Sequence, residues 1–191
     1  MDLVKIDHPK QGISVVSLNR PEKRNALNID LMEQLCHAIE QVHRNPNQRA
    51  IILKGEGPVF CAGLDLAEAN DDSKIETSSQ WISRTLTTIY QSPLVTIAAV
   101  HGAALAGGAG LMTACDLAIA SEEAVIGYPE IRRGLVAAQV MLFLVRQIGQ
   151  RYARELLLLG ELIDVQRALQ FGLINRAVSQ AELLPEAYRL A

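Results

Sequence analysis

The sequence predicts a layered α/β fold, and three observations carry that reading. Short β-branched runs alternate with amphipathic helical patterns along the 191 residues. Apolar residues make up 49% of the chain and aromatics only 4%, so Leu, Ile, Val and Ala must fill the core. No internal repeat of fixed period and no low-complexity linker interrupts the pattern, so residues 1–191 read as a single domain. A chain of this length buries a substantial core without disulfides or metals.

Taken in order, Leu3–Ile6 and Ile13–Leu18 read as two strands joined across His8-Pro9-Lys10-Gln11-Gly12, a hairpin. Arg20-Pro21-Glu22-Lys23-Arg24-Asn25 is a polar loop. Asn28 is placed to cap a helix that carries Ile29, Met32, Leu35, Ile39 and Val42 on one face, and Asn45-Pro46-Asn47 ends it. Ala50–Leu53 reads as a buried strand and Gly55-Glu56-Gly57-Pro58 as a turn. The stretch from Glu68 to Ser79 is polar and reads as a mobile loop. A second amphipathic helix carries Trp81, Ile82, Leu86 and Ile89, and Pro93 breaks it before the strand Leu94–Val100. The Gly/Ala-rich segment 102–110 leads to Leu111-Met112-Thr113-Ala114-Cys115, then to the strand Leu117–Ala120. From Val136 onward the pattern is mostly helical, with one short strand at Ile174–Val178.

Composition removes several function classes. Net charge is −3, so bulk electrostatics do not favour nucleic acid. Cys36, Cys61 and Cys115 are odd in number and form no CxxC pair, which reads as free thiols in a reducing compartment. His8, His37, His43 and His101 lack metal-ligand spacing, so no metal is expected. No apolar run reaches membrane-spanning length and the first residues lack a signal-peptide pattern, so the expected location is cytoplasmic.

Chemistry concentrates in two Gly-rich turns that follow strands, Phe60-Cys61-Ala62-Gly63-Leu64-Asp65 and the segment from Gly102 to Gly110. Small residues let a ligand approach bare backbone. A helix starting near Gly107 would point free N–H groups and its positive dipole end at an anionic oxygen. The glycines match neither the dinucleotide nor the P-loop phosphate motif, and no GxSxG nucleophile elbow is present.

Five segments in order resemble the crotonase (enoyl-CoA hydratase/isomerase) superfamily. They are Leu18-Asn19-Arg20-Pro21 with Asn25-Ala26-Leu27, residues 57–66, residues 98–108, residues 114–120, and Tyr128-Pro129-Glu130-Ile131 with Gly134-Leu135. The resemblance implies a superhelical core of repeated β-β-α units and an acyl-CoA thioester as substrate. Coenzyme A is then part of the substrate, and no separate cofactor is implied. It also implies an oxyanion hole made by the backbone N–H groups of Leu64 and Gly107, with coenzyme A contacts at Arg24, Asn25, Ala26, Ala62, Leu64, Asp65 and Leu66. Glu130, in the Pro-Glu motif, is the implied acid/base residue.

Two departures from the family pattern shape the expectation. Family hydratases carry a second glutamate three residues after the second oxyanion-hole glycine, and here that position is Gly110. A 1,3-proton shift needs one base, whereas hydration needs a second group to manage water. Isomerisation is therefore favoured over hydration, with empty space expected beside Gly110 opposite Glu130, and Asp65, Glu68 or Glu76 as alternative carboxylates. An inactive or binding-only family member is the alternative reading. The family's chain also continues for several helices past Leu190-Ala191, so the C-terminal lid and trimerisation helices are expected to be largely missing. Apolar surface at 135–148 and 155–159 should then be bare, and a homo-oligomer is expected.

Overall fold

The computed structural model describes residues 2–191. Strands β1 (Val4–Lys10) and β2 (Ile13–Leu18) form the antiparallel hairpin. β1 runs on through His8-Pro9-Lys10, because Pro9 on an edge strand forfeits no ladder bond. Helix α1 (Ile29–His43) starts where Asn28 Oδ1 accepts from the Leu31 amide and buries Met32, Leu35, Ile39 and Val42. There follow β3 (Ala50–Gly55), the single-turn α2 (Leu66–Ala69), α3 (Ile75–Tyr90), β4 (Val95–Val100), β5 (Ala103–Leu105) and α4 (Gly107–Ala114). The chain goes on through β6 (Leu117–Ser121), β7 (Val125–Gly127), α5 (Ala138–Leu159), β8 (Leu162–Ile163), α6 (Val165–Phe171), β9 (Arg176–Val178) and α7 (Leu183–Leu190).

The polar stretch expected to be a mobile loop is largely helical. Glu68 lies in α2, and α3 begins at Ile75, six residues before Trp81. Local side chains explain this. Asp65 Oδ1 accepts from the Ala67 amide to start α2, and Asp71 Oδ1 accepts from the Ser73 amide to shape the turn between the helices.

A six-stranded sheet runs in the order β1-β2-β3-β4-β6-β9, parallel except for β1. Its central strands β2, β3, β4 and β6 are largely buried on both faces because both faces are covered, while the edge strand β1 is mostly exposed. Val16, Leu18, Ile51, Leu53, Ala98, Val100, Ala118 and Ala120 face the main core. The alternate residues Ile13, Val15, Ile52, Ile97, Ala99 and Ile119 pack against Leu183 and Ala187 of α7.

A second sheet, β5-β7-β8, lies in a separate layer. The repeated β-β-α plan is visible across both. β4, β5 and α4 make one unit, and β6, β7 and α5 make the next. β3 opens an earlier unit whose second strand is reduced to one parallel bridge, Cys61 to Ala104. The strands of the small layer are three residues or fewer, too short to show period-2 alternation in sequence.

Asn25 ties the first loop to this framework. It is fully buried in the left-handed region (φ 54°), which Asn tolerates better than most residues. Its Oδ1 accepts from the Arg20 amide, and Nδ2 is shared among the carbonyls of Glu56, Val59 and Phe60 at 2.9, 2.9 and 3.1 Å. Asn25→Ala strands these buried groups and should lower unfolding free energy by roughly 3 kcal/mol. Asn25→Asp should be worse, since it turns an acceptor oxygen toward three carbonyls. Urea denaturation of the three proteins measures both effects.

Candidate functional site

Three consecutive units each bring one candidate group to the same place. Leu64 follows the Cys61 bridge, Gly107 follows β5, and Glu130 follows β7. All three line one cavity of about 310 Å³. Its other walls come from α3, through Ile75 and Ile82, and from the segment 135–140 that leads into α5.

The two backbone groups are prepared in the same way. Each follows a residue in the left-handed half of backbone space, Gly63 (φ 95°) before Leu64 and Ala106 (φ 50°, ψ −120°) before Gly107. Such a turn swings the next amide out of the strand ladder. Among the described residues, neither the Leu64 nor the Gly107 amide donates to a protein acceptor, whereas their neighbours Asp65 and Ala106 donate to Leu27 O and Gly127 O. A Cβ on Gly107 would lie 3.8 Å from the Leu64 nitrogen, so the two backbones are adjacent. Gly107 is also the first residue of α4, which begins where the sequence places it and adds its dipole. For Ala106 the conformation costs about 1–3 kcal/mol. Nothing in the sequence marks it, because an alanine does not advertise a positive φ.

Glu130 sits in a single-turn 3₁₀ segment, Pro129–Arg133, behind the fully buried Tyr128. Tyr128 is core, its hydroxyl donating to Ala109 O. Glu130 Oε2 is buried with no hydrogen-bond partner among the described residues. Burial pushes its carboxyl above the usual carboxylate range. It is the one carboxylate that lines the cavity.

The alternative carboxylates are engaged elsewhere. Glu68 Oε2 accepts from the Ile29 amide at the start of α1, and Oε1 faces Lys74. Glu76 holds Gln80 at the surface. Asp65 pairs with Arg20 at 2.5 Å while capping α2, and these bonds hold its carboxyl below the usual range against the opposing effect of burial.

Gly110 does not leave the empty space expected beside it. A Cβ there would fall 2.3 Å from Val140 Cγ1 and 3.4 Å from Leu86 Cδ2. Val140, 3% exposed and also lining the cavity, occupies that place from the first turn of α5. The residue that fills the gap lies thirty positions away, beyond the reach of local pattern.

The remaining polar groups near the turns are tied into the framework. The His101 ring bonds Gly57 O, and Asp116 accepts from the amide and hydroxyl of Thr96. The buried Cys61 thiol donates to Asn25 O, and burial pushes its pKa up to about 12, so no reactive thiolate stands beside the first loop. No group of His, Cys, Asp and Glu among the described residues is arranged to hold a metal ion. No helix among them is long and apolar enough to cross a membrane.

The enoyl-CoA hydratase/isomerase family model matches residues 8–191. The chain belongs to that family. It is 39% identical over 187 residues to the bovine mitochondrial enoyl-CoA hydratase domain-containing protein 2, covering 96% of this chain and 63% of that one. Among solved structures, the enoyl-CoA hydratase of Bacillus anthracis superposes with a TM-score of 0.95 at 32% identity, over 98% of this chain and 74% of that one. Human enoyl-CoA hydratase domain-containing protein 3 gives 0.93 at 31% identity, over 98% and 75%. The crotonase fold implied by the motifs is thus the fold of this chain.

The side chains of two of the expected coenzyme A contacts, Asn25 and Asp65, are engaged within the fold, so a ligand would meet these positions through their backbone. Asn25 is buried and saturated by backbone groups, and both oxygens of Asp65 are taken by Arg20 and the Ala67 amide. These residues shape the family's first loop from within. The exposed Arg24 and Leu66 and the half-buried Ala26, Ala62 and Leu64 keep surface for a ligand. The segments on either side are splinted together, since Ala62 N donates to Arg24 O at 3.0 Å and Leu27 N to Gly63 O at 2.8 Å.

A Cβ on Gly63 would lie 2.9 Å from both Ala106 Cβ and Leu105 O, and its positive φ disfavours any side chain. Gly63→Ala should therefore displace the Leu64 amide and lower kcat on the order of a hundredfold while the circular dichroism spectrum stays native. A kcat within a factor of two of wild type would show that this amide takes no part.

Proposed function

We propose that the chain is an acyl-CoA isomerase that works with one carboxylate, Glu130, and a two-amide oxyanion hole. The observation that carries this is the pairing of an unpartnered, buried Glu130 oxygen with a filled site at Gly110. The thioester oxygen accepts from the Leu64 and Gly107 amides. Glu130 takes the proton from the α-carbon, and the electron pair moves onto that oxygen as a dienolate. The protonated Glu130 returns the proton to the γ-carbon, so the double bond shifts into conjugation with the thioester and atoms balance. Preorganised backbone donors stabilise the developing charge without reorganisation. Arg24 is the residue proposed to meet coenzyme A phosphate, with Ala26, Ala62 and Leu66 beside it. The 191 residues act as one acyl-CoA-binding unit.

Glu130→Gln keeps the shape and removes the base. It should cut α-proton exchange into heavy water by roughly a hundredfold to ten-thousandfold with acyl-CoA affinity nearly intact. In the wild type, kcat/KM should fall as pH drops through the raised Glu130 pKa, and the variant should lose that acid limb. Gly110→Glu alone should destabilise through the clash with Val140, so hydration is tested in the double variant Gly110→Glu/Val140→Ala. That protein should add water to a conjugated enoyl-CoA faster than wild type. Efficient hydration by wild type that survives Glu130→Gln rules out the single-carboxylate scheme. Binding without exchange in wild type marks a binding-only protein.

Leu135, Val136, Leu142, Leu158 and Leu159 are each at least half exposed, and they fall in the two segments where bare apolar surface is expected. We attribute this surface to contact between copies of the chain. Sedimentation should show concentration-dependent association that Leu142→Glu/Leu158→Glu weakens, and a monomer at every concentration removes this reading.

A further inference from the structure

The cavity that holds Glu130 is bounded on one side by a hydrogen-bonded pair. Gln139, in the first turn of α5, donates through Nε2 to the Ser79 carbonyl at 2.9 Å and to Ser79 Oγ at 2.6 Å. Ser79 stands on α3, so the pair bridges the two helices that flank the cavity. A second, more open cavity of about 540 Å³ follows α3 beyond it and is lined by Ser83, Arg84, Thr87, Thr88 and Gln91. Ser79 and Gln139 line both cavities and form the partition between them.

Chemistry changes across this partition. The Glu130 side is walled mainly by Ile75, Ile82, Val136 and Val140, with Ser78 among them; the far side carries the hydroxyls, amides and guanidinium of Ser83, Thr87, Thr88, Gln91 and Arg84. We infer that the Gln139–Ser79 pair is the end stop of the acyl pocket and restricts the substrate to short acyl chains. The inference rests on the acyl-CoA reading above. An apolar chain gains free energy with each methylene buried between α3 and the segment entering α5. A methylene that reaches the pair must break two hydrogen bonds or turn into solvent, and beyond it the walls are more open and carry more polar groups, so less is gained by burial. The inner cavity, about 310 Å³, lies at the small end of the roughly 300–1,000 Å³ typical of ligand pockets. The pair lies at the surface, so it can be removed without touching the core.

The test is isothermal titration of the intact protein with saturated acyl-CoA thioesters that lengthen two carbons at a time. In wild type, affinity should rise with length and then fall on the order of tenfold once the chain meets the pair. Gln139→Ala should move that break to longer chains, raising the ratio of long-chain to short-chain affinity on the order of tenfold. Gln139→Phe, which adds bulk at the same place, should move it to shorter chains. A break at the same length in all three proteins overturns the end stop. A break that moves as stated in a protein showing no α-proton exchange upholds the end stop and overturns the isomerase reading. Failure of every thioester to bind overturns both.

Discussion

The site depends on one backbone register. Cys61 bridges Ala104, and Ala104 pairs in turn with Ile126, all in parallel. The Cys61 amide donates to Ala103 O and the Leu105 amide to Cys61 O, at 3.1 and 3.0 Å. These few bonds align three chain segments so that the residues leaving each segment meet at one cavity. A slip of one residue in any of the three would turn a donor or the carboxylate away. The large sheet and its helices hold that small layer in place, and the functional groups stand at its exits.

Within this frame the protein keeps groups that folding alone would not select. The two amides give up ladder partners, Ala106 holds a disfavoured backbone conformation, and Glu130 keeps a buried oxygen without a donor. A carboxyl whose folded pKa lies above its unfolded value binds its proton more tightly in the native state. Its contribution to stability is present at low pH and is lost as pH rises through the folded value. The ionised form of Glu130 is therefore the form the fold favours least. Glu130 and the residues carrying the two free amides line the same cavity.

Much of this was legible in the sequence, for physical reasons that differ by element. The α1 cap at Asn28, the strand pattern of Ile13–Leu18 and the start of α4 at Gly107 follow from local chemistry, and the structure has them in place. Strands of two or three residues carry no periodicity, so β5, β7 and β8 were invisible as strands although they set the site. The short helix 66–69 and the early start of α3 at Ile75 were hidden by polar composition; Asp65 caps the first and the Asp71 turn joins it to the second. The roles of Asn25, Asp65 and Glu68 as internal ties depend on partners far along the chain, which no local window contains. The same holds for Val140 against Gly110 and for Gln139 against Ser79.

The contact of Val140 with Gly110 also bears on how this chain can change. Any side chain at position 110 requires Val140 to shift, since Val140 Cγ1 stands 2.3 Å from where its Cβ would be. Shrinking Val140 first would open a void in a well-packed region, at a cost of roughly 1–2 kcal/mol and with no catalytic gain. Each single change disturbs the packing of this contact, and the two changes together disturb it less. The two positions are therefore coupled through packing, and the side chain at one sets what the other can hold.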